Sequence, residues 1–426
     1  MPSDKSIAHR ALLLGAAARG VTHIGNFEVG ADNRSTMEFI RALGASVQET
    51  PGEVHVGGCG WDGFCAPERM LDCGNSGTTM RLGIGLLAGQ RFEARLTGDA
   101  SLCRRPMARV IEPMRAMGAR VESEPGGYPP LVVSGGSLQG ILYRLPVASA
   151  QVKSAILIAG LQARGETVVI EREPTRDHTE RLLASFGAPV RVDRDQQPGA
   201  GRRIVVSGGS WLRATSVTLP GDFSSAAFFL VAAVLVDGSD LVVSDVGLNP
   251  TRTALLDLLR AMGASFEIRM LEQPSCCEPV GSVRVRSSAL RGVTVAPELI
   301  PRLIDEVPLL CVAAACAEGV TRITGARELR VKESDRIAVM ARELRDRGVS
   351  VEELPDGLVI QGKGPVTARH PFPLHGGTAM SHGDHRIAMA MAVAGLASNG
   401  GLCIDDAEVA EVSFPGFYAR LGGLIG

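Results

Sequence analysis

Apolar residues recur along the chain with helical period, in two alternating forms. One form is apolar nearly all round and rich in Ala, Leu and Val: SIAHRALLLGAAARG, SGTTMRLGIGLLAG, SAQVKSAILIAGLQARG, DFSSAAFFLVAAVLVDG, IDEVPLLCVAAACAEG and DHRIAMAMAVAGLASNG. Each opens on polar residues and is expected to stop at its Gly, the favoured residue just past a helix. A helix with no polar face has to be buried within its domain. The other form is amphipathic and runs through Gly, often Ala, into an alternating strand. It reads FIRALGASV at 39–47, PMRAMGARV at 113–121, LLASFGAPV at 182–190, LLRAMGASF at 258–266, ELRDRGVSV at 343–351 and, more weakly, YARLGGLI at 418–425.

Strands such as THIGNFEV, ETVVIERE and DLVVSDVG lie between the two forms. The unit is therefore buried helix, strand, surface helix, strand. Six copies predict an α/β fold whose sheets surround helices. The turn LPGD divides them into halves at 3–220 and 221–426, three units each. The polar stretch DRDQQPGAGRR at 193–203 reads as a surface excursion inside a unit.

Composition narrows the class. With 426 residues, 45% hydrophobic and 21% charged, the chain suits a soluble protein of two domains. Lys and Arg number 44 against 46 Asp and Glu, so no basic excess points to nucleic acid. No apolar run is long enough for a membrane span, and MPSDKSIAHR does not resemble a leader, which predicts a cytoplasmic protein. The cysteines, Cys59, Cys65, Cys73 and the adjacent Cys276 and Cys277 among them, lack zinc spacing and read as reduced thiols. His375, His382 and His385 are spaced over Gly and Ser, a weak pattern for a metal, and none is expected.

The chemistry concentrates where the buried helices begin. Lys5, Ser6, His9 and Arg10 open the first; Asn75, Ser76, Gly77, Thr78 and Arg81 the second; Ser149, Gln151 and Lys153 the third. Asp305 and Glu306 open the fifth, and Asp384, His385 and Arg386 the sixth. Free N–H groups and the positive dipole end make a helix start an anion site, and Lys or Arg adds forks for phosphate and carboxylate. Asp222, Ser224 and Ser225 of the fourth read as plain caps. Arg41, Arg115 and Arg260 read as solvated surface residues. Lys5 and Arg10 instead flank an apolar helix, where an unpaired charge is costly and an anionic partner offsets the cost. Arg104 and Arg105 precede what reads as a Pro-initiated helix at Pro106. In RVKESDR, a helix starting at Ser334 would leave Lys332 and Glu333 in its entry loop and Arg336 in its first turn.

At these clusters the chain resembles the 5-enolpyruvylshikimate-3-phosphate synthases, or 3-phosphoshikimate 1-carboxyvinyltransferases, of the bacterial branch called class II. The matching motifs are PSDKSIAHR, LDCGNSGTTMR, SLCRRPM, ASAQVKSA, PTRDHTE, LRVKESDRI, Asp305 in LIDEVP, and DHRIAMA, spread over all six units. The resemblance implies a two-domain inside-out α/β barrel with three repeats per domain, closing on the substrates. It implies transfer of the enolpyruvyl group of phosphoenolpyruvate to the 5-hydroxyl of shikimate 3-phosphate, by addition and then elimination of phosphate. No cofactor is implied, and a monomer is expected.

Carried over by motif, Lys5, Ser6, Arg10, Ser149, Gln151 and Arg176 are expected at shikimate 3-phosphate, together with Asp305 and Lys332. Lys5, Gly77, Arg105, Gln151, Arg336 and Arg386 are expected at phosphoenolpyruvate. Asp305 matches the general base, Glu333 a proton donor to the methylene carbon, and Lys5 completes the expected catalytic set. Ala150 stands where many members have Ser, and Val412 where others outside the branch have Lys. Gly77 is retained where glyphosate-tolerant relatives often have Ala, so sensitivity is expected. The sister transferase acting on UDP-N-acetylglucosamine places a Cys where Ala100 stands. A non-catalytic anion-binding repeat protein would need neither Asp305 nor Glu333.

Overall fold

The computed structural model describes residues 1–194, 201–272, 277–367 and 370–425. Most of the 193–203 stretch, and Cys276 of the cysteine pair, therefore lie outside the described residues. The chain forms two compact units. An N-terminal unit comprises 3–219 with residues 277 and 278; a C-terminal unit comprises 1–2, 220–272 and 279–425.

The repeat is a βαβ crossover followed by a surface helix and a hairpin. In the second repeat the buried helix Gly77–Leu87 links the parallel strands Leu71–Asp72 and Glu93–Thr97. The surface helix Ala108–Met117 then leads to Arg120–Glu124 and Tyr128–Ser134, which pair antiparallel. The sheet order is short parallel strand, first long strand, third, second. The third repeat repeats this order around Ala150–Gln162, and the fifth around Val307–Ala315. The single strand expected after each surface helix is thus a hairpin, its two short arms joined by turns such as Gly126–Gly127.

The first repeat borrows its parallel strand from the far end of the unit. Ser216–Thr218 pairs with Ala18–Gly25, so the last strand of the N-terminal unit joins the sheet of its first repeat. In the C-terminal unit a parallel bridge from Gly221 to Val246 plays this part for the fourth repeat. The sixth repeat pairs Leu374–Met380 with Ser398–Asp405 around His385–Gly395. All-round apolar sequence translates into burial. Every residue of Phe223–Leu235 and of Val307–Ala315 is buried.

The glycines divide into two roles. Gly44, Gly118, Gly187, Gly263 and Gly348 follow the surface helices with φ of 101°, 107°, 77°, 109° and 80°, a left-handed turn that disfavours any side chain. Gly422 differs, because the helix Phe417–Ile425 runs through it. The buried helices stop before their expected glycines. Ala17 ends the first and Gln162 the third; Gly20 lies inside the strand Ala18–Gly25 that follows, and Gly165 turns the chain into the strand Glu166–Glu171.

Two of the surface arginines, accessible as expected, also tie the repeat together. Arg41 donates to the carbonyl of Val47 at 3.0 Å, and Nε of Arg115 to that of Val121 at 2.9 Å. Arg345 does the same to Val351 at 3.0 Å. Each tie spans helix, glycine turn and strand, which explains the Arg of the repeated signature. Arg260 lies 3.8 Å from Asp257 on its own helix.

Candidate active site

In the N-terminal unit three buried helices bring polar ends together. Asp4 caps the helix Lys5–Ala17 by accepting from the Ile7 N–H at 2.9 Å. Ser76 caps Gly77–Leu87, and Ser149 caps Ala150–Gln162. Lys5 is not left with an open charge, since its Nζ lies 2.9 Å from Asp32. Arg10, which is buried, donates to the hydroxyls of Thr179 at 2.8 Å and Ser154 at 3.1 Å and to the Ser6 carbonyl at 2.8 Å. Burial, and then the charge of Arg176, push Arg10 down from the ordinary arginine value to about 10, against the pull of Asp4, Glu180 and Glu278. A buried guanidinium bonded only to neutral oxygens marks a place suited to an anion.

Gln151 bridges two helices. Its carbonyl accepts from Arg81 at 2.8 Å and its amide donates to Thr78 at 3.0 Å. Arg105 is held by Asn75 Oδ1 at 2.8 Å and Ser101 at 3.1 Å. The helix beyond it begins at Ala108 with Met107 as cap, so Pro106 does not start it; a 3-10 turn, Leu102–Arg104, presents Arg105 instead. A methyl group on Gly77 would lie 2.6 Å from Arg81 Nη1, too close, and 3.7 Å from Arg105 Nη1, an ordinary contact, so the missing side chain is what lets the Arg81 guanidinium approach the helix end.

In the C-terminal unit the charges are mutually compensated. Asp305 has Arg336 at 3.6 Å, Arg252 at 3.8 Å and Arg386 at 3.9 Å. Arg336 donates to Asp384 at 2.8 Å and to Glu333 at 2.6 Å. Burial works against its charge, yet the carboxylates of Asp384, Glu333 and Asp305 outweigh it and hold Arg336 above the ordinary arginine value. Burial likewise opposes ionisation of Asp384, and Arg336 overrides it, keeping that carboxyl below its usual range. The helix starts at Arg336 with Asp335 as cap, not at Ser334, whose hydroxyl donates to Asp384 at 3.0 Å. Lys332 turns to Glu328 at 3.1 Å.

Sequence reasoning missed several members. Asp384 caps Arg386 but also anchors Arg336. The fourth repeat supplies more than caps: buried Arg252 donates to Ser224 at 2.6 Å, and Ser224 in turn donates to Glu306. Glu278, distant in sequence from its unit, lies 2.7 Å from His178. The available signal was polarity inside apolar sequence, as with Arg252 ahead of ALLDLL. Among the described residues no group of three His, Cys, Asp or Glu is placed to hold a metal, and no helix is long and apolar enough to cross a membrane.

Repeated α/β units whose buried helices gather arginines and a carboxylate ringed by guanidiniums suit an enzyme acting on small anions. Residues 1–421 match the family EPSP synthase (3-phosphoshikimate 1-carboxyvinyltransferase), and the chain belongs to that family. It is 53% identical to the 3-phosphoshikimate 1-carboxyvinyltransferase of Alkalilimnicola ehrlichii, over 99% of this chain and 92% of that one. It is equally 53% identical to that of Halorhodospira halophila, with the same coverage. An EPSP synthase structure from Acinetobacter baumannii superposes with a TM-score of 0.85 at 44% identity, over 99% of this chain and 94% of that one. The mixed α/β fold is that of this family.

Proposed function

We propose that the chain transfers the enolpyruvyl group of phosphoenolpyruvate to the 5-hydroxyl of shikimate 3-phosphate and releases phosphate. The observation that carries this reading is Asp305, a carboxylate with three guanidiniums within 3.9 Å and Glu333 on one of those same arginines. Family membership supports the reaction, and the motifs at the helix starts support the assignment of its parts. Arg10, Arg176, Lys5, Ser6, Ser149 and Gln151 hold the phosphate, carboxylate and hydroxyls of shikimate 3-phosphate, with Lys332 completing the set. Arg105 and Gly77 of one unit and Arg336 and Arg386 of the other are assigned to phosphoenolpyruvate, and Lys5 and Gln151 are shared. Asp305 takes the proton of the 5-hydroxyl as its oxygen bonds to C2 of phosphoenolpyruvate, while Glu333 protonates the methylene carbon. The tetrahedral adduct then loses a methyl proton and phosphate, which restores the double bond. Positioning and electrostatics do the rest.

The reading extends to the two-domain inside-out barrel, a cytoplasmic monomer and inhibition by glyphosate. Ala100, standing where the nucleotide-sugar transferases carry Cys, favours the shikimate substrate over theirs. The test is phosphate release from phosphoenolpyruvate with shikimate 3-phosphate or with UDP-N-acetylglucosamine. Release with the former alone is expected; release with the latter alone, or with neither, overturns the proposal.

A further inference from the structure

Lys153 is fully buried on the third buried helix, in sequence that is otherwise apolar. Its Nζ lies 3.0 Å from Glu171, 2.7 Å from Glu180 and 3.5 Å from the carbonyl of Thr175. Glu171 ends the strand Glu166–Glu171, and Glu180 stands in the first turn of the helix His178–Ser185. Glu171 also accepts from the Thr175 N–H at 3.2 Å and hydroxyl at 2.7 Å, with Arg202 at 3.3 Å. One ammonium therefore fastens both ends and the middle of the segment that carries Arg176. The next residue, Ser154, does the matching work for Arg10. It bonds Arg10 at 3.1 Å and Thr179 at 2.6 Å. Apolar side chains would fill the same volume without desolvating three charges. What the ions add is a fixed backbone beside Arg176, whose charge opposes that of Arg10.

We infer that Lys153, Glu171 and Thr175 are positioning residues that fix the segment carrying Arg176, so that Arg176 and Arg10 both meet the anionic groups of shikimate 3-phosphate. This rests on the site reading above. The test is Thr175→Val, close in shape, which removes the hydroxyl bond to Glu171 but leaves the charges of the cluster in place, with Lys153→Arg as a second variant that keeps the charge but alters its reach. Calorimetry with shikimate 3-phosphate should show Kd raised about fivefold to tenfold in each. The phosphoenolpyruvate KM and kcat should stay within about twofold, and in an Arg176→Ala background the Thr175→Val effect should vanish. Unchanged Kd, an equal loss in the Arg176→Ala background, or parallel losses for both substrates would overturn the inference. No binding of shikimate 3-phosphate by the unaltered chain would instead overturn the reading beneath it.

Discussion

Arg10 and Arg336 are both buried at helix starts, one in each unit, yet they live in opposite surroundings. Arg10 bonds only to neutral oxygens and is pushed down to about 10 by burial and by Arg176. Arg336 meets three carboxylates and is held above its ordinary value in spite of burial. On the proposed reading the first receives an anion and the second fixes an acid and a base. A repeated scaffold has thus been given two electrostatic tasks by what the neighbouring repeats contribute.

Several variants would break or sharpen that contrast. Asp305→Ala removes the carboxylate from the compensated centre, so turnover should fall about 1000-fold while shikimate 3-phosphate still binds; turnover near the unaltered rate would refute its role as base. Asp384→Asn leaves buried Arg336 short of its anchor and should lower unfolding stability by about 3 kcal/mol. Denaturant titration reads this directly, and a change below about 1 kcal/mol would mean that the pair is not what secures the helix start.

Gly77→Ala presses a methyl group on Arg81 and should raise the phosphoenolpyruvate KM about tenfold with shikimate 3-phosphate affinity unaltered. Equal effects on both substrates would blur the division of labour. A pH-dependent effect concerns His9, which burial lowers from 6.5 to about 3. The folded chain keeps it neutral while the unfolded chain protonates. Its contribution is fully present above pH 6.5 and is lost as pH falls from there toward 3. His9→Gln should therefore lose about 2 kcal/mol less than the unaltered chain between pH 7 and pH 5. Parallel stability curves would remove His9 from the account.

How much of this was legible in the sequence follows from the range of each interaction. Helix period and the turn glycines are local, so the repeats could be read, and Gly44 and Gly348 mark the same turn in distant copies. The hairpin arms Ser350–Leu354 and Gly357–Gln361 are too short to show their own alternation, and the strand Ser216–Thr218 pairs with the start of the chain, which no window can anticipate. Motifs pointed to Asp305, Glu333 and Arg336 but not to what holds them. Arg252, Asp384 and the Lys153–Glu171–Glu180 cluster act through partners far along the chain. A cap and an ion-pair anchor also look alike in sequence; Asp384 is both.

The most direct test of the contrast is Arg10→Met, followed by calorimetry with shikimate 3-phosphate and by the unfolding midpoint. Thr179 and Ser154 already bond one another at 2.6 Å, so losing Arg10 strands neither hydroxyl. Affinity should fall about 100-fold while the midpoint holds or rises, because a buried charge without a bonded carboxylate has been removed. Retained affinity, or affinity lost only together with the fold, would contradict the account.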